Sequence, residues 1–126
     1  MASINSGESA VMLPSSSTKL APFARAGRVR VIREVDSERV AEWVVGSFGE
    51  VDLVYIDANH DEPYVRQDLE IWWPRIKSGG ICAVHDFHER LYPGIVKAFV
   101  ELSERVECDV LRIPSASGNT CYITKR

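Results

Sequence analysis

Residues 51–86 read VDLVYIDANHDEPYVRQDLEIWWPRIKSGGICAVHD and contain two short apolar runs, at 53–56 and 81–84. Each run has the length of a strand, and a continuous apolar run is typical of a strand that is covered on both faces. Between the runs, apolar residues recur at helical spacing, namely Val65, Leu69, Trp72, Trp73 and Ile76. The pattern predicts a strand, a helix that ends at Gly79 and Gly80, and a second strand.

The same alternation continues on both sides of this stretch. A strand with one buried face is predicted at 29–34, and a helix capped by Asp36 or Ser37 follows and ends before Gly49. Pro93 opens a third helix. The predicted buried stripe of that helix consists of Ile95, Ala98, Phe99, Leu102 and Val106.

Two further strands are predicted at 109–113 and 120–124, and their connection is too short for a helical crossover. At least one of them must therefore be antiparallel. The repeated strand and helix units before them are typical of right-handed crossovers in a parallel sheet. The predicted fold is α/β, a three-layer Rossmann-like arrangement with a mostly parallel sheet and an antiparallel C-terminal hairpin.

The composition is that of a soluble globular protein. The chain has 126 residues, of which 45% are hydrophobic and 26% charged. No apolar run approaches the ~20 residues of a membrane span, and 15 basic against 18 acidic residues give a net charge of −3 without a basic stripe. We therefore expect neither nucleic acid nor a membrane as a partner. Residues 1–18 are predicted to be a flexible leader, and residues 19–126 a single domain.

The three cysteines, Cys82, Cys108 and Cys121, lack the C-x-x-C spacing of zinc or redox sites. Each is predicted to be a small buried hydrophobe. The first residues have neither the positive charge nor the long apolar segment of a secretory signal. These observations predict a reducing, cytoplasmic setting.

Polar residues follow the ends of the three predicted parallel strands, at the edge where open α/β sheets bind ligands. They are Asp36, Ser37, Asp57, Asn59, His60, Asp61, His85, Asp86 and His88. Asp57 and Asp86 each end an apolar strand, where an unpartnered carboxylate is costly. A divalent cation such as Mg²⁺ offsets the repulsion between two carboxylates and can bind a hydroxyl-bearing substrate. His60 is then placed to act as the base that removes the hydroxyl proton.

A purely structural interpretation stays open for several of these positions, because Asp, Asn and Ser are favoured in turns and at helix N-caps in any protein. It accounts for Asp36, Ser37, Asp61 and Glu62. For His60 the structural and functional interpretations are equally open. His85 can be a packed histidine at the end of a strand, and His88 an ordinary surface residue.

Four short motifs occur in order along this edge: Asp-Ala-Asn-His-Asp at 57–61, Asp-Leu at 68–69, Gly-Gly at 79–80 and His-Asp at 85–86. Together they resemble the second half of class I S-adenosylmethionine-dependent methyltransferases. The most similar group has Asp-Gly-Asp-His-Ser-Tyr at the first of these positions and His-Asp at the last. The resemblance spans roughly residues 20–99.

The resemblance implies a role for individual residues. Asp36 and Ser37 match the turn that borders the adenine of the cofactor, and with Asp57 they form the implied cofactor-binding set. Asp57 and Asp86 match positions that hold a divalent metal in catechol-type and sugar-type O-methyltransferases. His60 matches the position of the catalytic base. The predicted metal ligands are Asp57, Asp86 and His85.

The chain also departs from the family pattern. Ala58 and Asn59 replace a glycine and an aspartate, and nothing before Val29 resembles the first strand with its glycine-rich loop. The implied fold is thus truncated in its N-terminal half. A strand at 29–34 would then pair directly with the strand at 52–57, or leave an edge that a second copy or a partner chain covers.

The resemblance implies methyl transfer from S-adenosylmethionine to the oxygen of a small hydroxylated substrate, with assistance from a divalent metal such as Mg²⁺. Two alternatives stay open. One is a catalytically inactive methyltransferase remnant or interaction module. The other is a metal-dependent phosphoesterase, suggested by Asn59-His60-Asp61 and by the histidines around Asp86, although two-metal hydrolases need more ligands than these.

Overall fold

A computed structural model describes residues 21–28, 30, 32, 36–113 and 119–126. The chain divides into two units, Met1–Asp36 and Ser37–Arg126. In the first unit, a short helix, α1, spans Ala21–Arg25. The predicted leader at 1–18 and most of the predicted strand at 29–34 lie outside the described residues. Within the described residues, no helix is long and apolar enough to cross a membrane.

The second unit contains three helices and four strands in the described ranges. They follow the chain in this order: α2 Ser37–Phe48, β1 Val51–Ile56, α3 Glu62–Trp72, β2 Ile76–Val84, α4 Pro93–Arg105, β3 Cys108–Ile113 and β4 Thr120–Lys125. A single 3₁₀ turn, Trp73–Arg75, connects α3 to β2. The predicted helices and the C-terminal hairpin are therefore confirmed, with shifted ends.

The four strands form one mixed sheet in the order β1-β2-β4-β3. β1 pairs with β2 in parallel through the α3 crossover. β4 is antiparallel to both β2 and β3. This arrangement confirms the predicted α/β fold and the antiparallel C-terminal hairpin.

The predicted end of α3 at Gly79 and Gly80 is wrong. Pro74 has no N–H to continue the helical hydrogen-bond ladder, so the helix gives way to the 3₁₀ turn. Ile76, predicted on the helical stripe, is the first residue of β2 and is fully buried. The two glycines instead lie inside β2, beside a register shift in its pairing with β1.

Gly80 allows the two strands to approach closely at this irregularity. A Cβ added there would lie 2.5 Å from Ile76 Cγ2 and 2.9 Å from the carbonyl oxygen of Asp52. We expect Gly80→Ala to destabilise the protein by about 1–3 kcal/mol through overpacking. Gly46→Ala is the control, because Gly46 lies in α2 with open space around it, and should stabilise by roughly 0.5–1 kcal/mol. Urea unfolding measures both; a Gly80→Ala variant as stable as the wild type would contradict the expectation.

The hydrophobic core lies between one face of the sheet and the helices α3 and α4. The sheet contributes Ile56, Cys82, Val84, Cys121 and Ile123. The helices contribute Val65, Leu69, Ile95, Ala98, Phe99 and Leu102. Two of the predicted buried cysteines are thus in the core, and burial raises the pKa of the Cys82 thiol to about 12. Cys108 is only half-buried at the start of β3.

Candidate functional site

The parallel register of β1 and β2 places the ends of the two strands side by side. Ile56 pairs with Val84, and the N–H of His85 donates a 3.0 Å hydrogen bond to the carbonyl of Ile56. The next residue of β1 is Asp57, and Asp86 lies one residue past His85. The strand pairing itself therefore brings the two predicted carboxylates to one edge of the sheet.

Asp57, His60 and Asp86 form a cluster that could hold a metal ion. One ligand atom from each lies within 4.8 Å of the others. The imidazole Nε2 of His60 is 3.1 Å from Asp86 Oδ2. The side chain of Asp57 is 52% exposed and that of Asp86 22% exposed, so a ligand can reach the cluster from the side of Asp57.

His85 lies behind the two carboxylates. Its Nδ1 is 3.1 Å from Asp86 Oδ1 and 3.7 Å from Asp57 Oδ1. This nitrogen is buried, and neither contact has hydrogen-bond geometry. Asp86 is consequently held between two imidazoles, because its other oxygen faces His60. Buried polar atoms without a hydrogen bond are uncommon in folded proteins.

Asp86 has a positive φ of 56°. Aspartate is among the residues that tolerate this left-handed conformation, but it still carries a backbone cost there. The conformation directs the chain away from β2 while the carboxylate stays between His60 and His85. An observed outlier of this kind supports a functional role for Asp86.

Other residues of the predicted edge have contacts or positions of their own. Ser37 Oγ donates a 2.7 Å hydrogen bond to Asp68 Oδ1 on α3. Asp36 is exposed and belongs to the first unit of the chain. Two further residues make local hydrogen bonds: Asn59 Oδ1 accepts one from the N–H of Asp61, and His88 Nδ1 accepts two from the N–H groups of Arg90 and Leu91. The cluster is therefore supplied by the ends of β1 and β2.

Sequence reasoning missed one residue that touches the cluster. The ring centroid of Tyr92 lies 4.1 Å from that of His60, with an interplanar angle of 40°. Tyr92 immediately precedes α4, which opens with Pro93. This position was the only feature of the sequence that indicated a place for Tyr92 near the start of the helix. The helix thus brings an aromatic ring to the predicted base.

An ion-pair network joins α3 to α4 beside the site. Glu62 accepts hydrogen bonds from Arg66 at 2.6 Å and from Lys97 at 3.0 Å. These two bonds hold the pKa of the Glu62 carboxyl below its usual value. Arg66 also pairs with Glu101 of α4. The network therefore joins α3 to α4 directly after the loop that carries His60.

Comparison with known proteins links this fold to one family. A family model described as a methyltransferase domain matches residues 6–87, which is more than half of the chain. The match begins inside the predicted leader and includes the whole cluster. No curated protein matches the chain.

Three similar solved structures share the fold. A Clostridium thermocellum protein described as an rRNA methylase has a TM-score of 0.61 and 15% identity over 88% of this chain. The TDP-rhamnose 3'-O-methyltransferase CalS11 of calicheamicin biosynthesis has a TM-score of 0.61 and 18% identity over 88%. The mycinamycin-pathway methyltransferase MycE, in complex with Mg and S-adenosylhomocysteine, has a TM-score of 0.53 and 16% identity over 78%. This chain spans 68%, 53% and 33% of their respective lengths.

Proposed function

The chain belongs to the methyltransferase-domain family, and we propose that it transfers a methyl group from S-adenosylmethionine to a hydroxyl oxygen of a small molecule. The observation that carries the proposal is the convergence of Asp57, His60 and Asp86 at the ends of two parallel strands. This convergence is consistent with the predicted O-methyltransferase subgroup. The named activity of CalS11 gives further support for an oxygen acceptor.

His60 is the proposed base. Asp86 Oδ2 lies 3.1 Å from His60 Nε2, and a carboxylate at that distance favours the tautomer with the proton on Nε2. Nδ1 is then left to accept the hydroxyl proton as the oxygen attacks the methyl carbon. S-adenosylmethionine supplies that carbon, and its sulfur keeps the electron pair of the broken carbon–sulfur bond. Asp86 offsets the positive charge that His60 acquires.

The two carboxylates of Asp57 and Asp86, together with the neighbouring His85, fit a divalent cation. Carboxylate oxygens are the protein ligands that Mg²⁺ prefers. His85 Nδ1 and Asp86 Oδ1 are 3.1 Å apart, and the buried nitrogen has no hydrogen bond of its own. We therefore propose Asp57, Asp86 and His85 as the residues that hold the ion. Bound there, a cation would lower the pKa of a substrate hydroxyl.

Within the unit Ser37–Arg126, the proposed cofactor contacts are Ser37 and Asp57. Asp57 is suited to this role because its carboxylate is half-exposed at the sheet edge. Ser37 fits less well, since its hydroxyl already donates to Asp68. The net charge of −3 favours a small substrate over RNA, because a phosphate backbone needs a basic surface.

A non-catalytic remnant or interaction module is the second candidate. Each carboxylate oxygen of Asp86 already lies 3.1 Å from an imidazole nitrogen, so Asp86 has polar partners without a cation. Among the described strands, β1 pairs with β2 alone, so its other edge is open. Such a module would bind a second copy or a partner chain along this edge. Sedimentation equilibrium of the chain tests this alternative by its mass in solution.

Methyl transfer from radiolabelled S-adenosylmethionine to small catechols and sugars, with and without Mg²⁺, tests the proposed function. We expect turnover that His60→Gln reduces by about 10²–10⁴-fold, since the base contributes on that scale. His88→Gln is the matched control and should keep wild-type turnover, because His88 serves a local turn. Equal turnover in wild type and His60→Gln would contradict the role of His60. Phosphate release from an aryl phosphate with Mn²⁺ would favour the phosphoesterase instead.

A further inference from the structure

We propose that Tyr92 is a positioning residue for His60, and that the first turn of α4 is built to hold the imidazole in one orientation. The inference rests on the proposed function, because it gives His60 the role of the base. Its basis is the ring contact of 4.1 Å between the two side chains.

His60 is fixed on more than one side. Asp86 faces one ring nitrogen at 3.1 Å, and the Tyr92 ring covers one face of the imidazole. A carboxylate at one ring nitrogen does not by itself fix the ring, because rotation about the bond between Cβ and Cγ can carry that nitrogen away from the carboxylate. A tilted aromatic ring on the face opposes that rotation, because it would bring the two rings into collision. The two contacts together select one rotamer and one ring edge.

The backbone of α4 also packs closely against the loop that carries His60. A Cβ added at Gly94 would lie 3.0 Å from the carbonyl oxygen of His60 and 2.7 Å from the backbone nitrogen of Glu62. Glycine is therefore required where α4 crosses the His60 loop. Any larger residue would push the helix, and Tyr92 with it, away from the imidazole.

Polar contacts also hold the N-terminal part of α4 in place beside this loop. Lys97 of α4 donates a 3.0 Å hydrogen bond to Glu62, two residues after His60. The N–H of Tyr92 also donates a 2.9 Å bond to the carbonyl of His88. Tyr92 is partly buried against the hydrophobic core. Its ring is therefore attached to the rigid part of the unit and can transmit that rigidity to the half-exposed His60.

NMR of the imidazole nitrogens tests the inference without requiring turnover. The chain has three histidines, so the His60 signals are those lost in His60→Gln. We expect one tautomer, protonated at Nε2, in the wild type and in Tyr92→Phe, which keeps the ring. Tyr92→Leu and Tyr92→Met, which remove it, should give His60 signals averaged between tautomers. Tyr64→Leu is the control, because Tyr64 is exposed on α3.

Turnover provides a second readout. Tyr92→Leu should lower kcat by about 10–100-fold with an unchanged KM for S-adenosylmethionine, and Tyr92→Phe should stay within about twofold of wild type. Unchanged His60 signals in both Tyr92→Leu and Tyr92→Met would overturn the proposal. An inactive wild type would refute the proposed function but not the orientation of His60 by Tyr92, because the NMR signals report on the imidazole ring directly.

Discussion

Replacing Asp86 by Asn is expected to reduce methyl transfer by at least about 100-fold while leaving the fold intact. The carboxylate faces both His60 and His85, so its loss removes the group that orients the base and one proposed ligand of the cation. Asparagine tolerates the positive φ at this position, so the backbone need not move. The measurements are kcat/KM and the binding of Mn²⁺, a paramagnetic substitute for Mg²⁺, by electron paramagnetic resonance.

Asp52→Asn is the matched control for that variant. It makes the same chemical change on β1, but near the start of the strand, where Asp52 is exposed and pairs with Lys77. Turnover and Mn²⁺ binding should both remain at the wild-type level. An Asp86→Asn variant that is indistinguishable from Asp52→Asn in both measurements would remove Asp86 from the site.

Phe99→Ala should destabilise the protein by about 3–5 kcal/mol. Phe99 is 1% exposed at the centre of the core, and its ring packs edge-on against Phe87 at 5.4 Å between centroids. The loss is a large share of the roughly 5–15 kcal/mol that stabilises a typical domain. Urea unfolding followed by tryptophan fluorescence measures it.

Val100→Ala is the control for Phe99→Ala. Val100 is the next residue of α4 but is 38% exposed, so its truncation should cost no more than about 0.5 kcal/mol. Equal free energies of unfolding for the two variants would mean that α4 presents a different face to the sheet.

Local periodicity predicted the helices and strands in which the apolar residues keep one regular spacing. The buried stripe of α4 is as predicted at Ile95, Ala98, Phe99 and Leu102. The hairpin followed from a connection too short for a helix. The end of α3 was mispredicted because apolar spacing continues from Trp73 to Ile76 across Pro74, and periodicity alone does not distinguish a helix from the strand that follows it.

The site was predictable where it depends on topology and unpredictable where it depends on packing. Parallel strands end at one edge of a sheet, so the sequence sufficed to bring Asp57 and Asp86 together. The contact of Tyr92 with His60 depends instead on how closely α4 crosses a loop, and no local pattern encodes that distance. The hydrogen bond from Ser37 to Asp68 likewise depends on the packing of α2 on α3, which no local pattern encodes.

Isothermal titration calorimetry of the chain with S-adenosylmethionine and S-adenosylhomocysteine, each with and without Mg²⁺, tests the central claim most directly. We expect saturable binding of both compounds to the wild-type chain. The affinity should be at least about tenfold lower in Asp57→Asn, a loss of ~1.4 kcal/mol in binding free energy, and it should be unchanged in Asp52→Asn. Absence of saturable heat for the wild type under all four conditions would contradict the account and favour a methyltransferase fold that has lost its reaction.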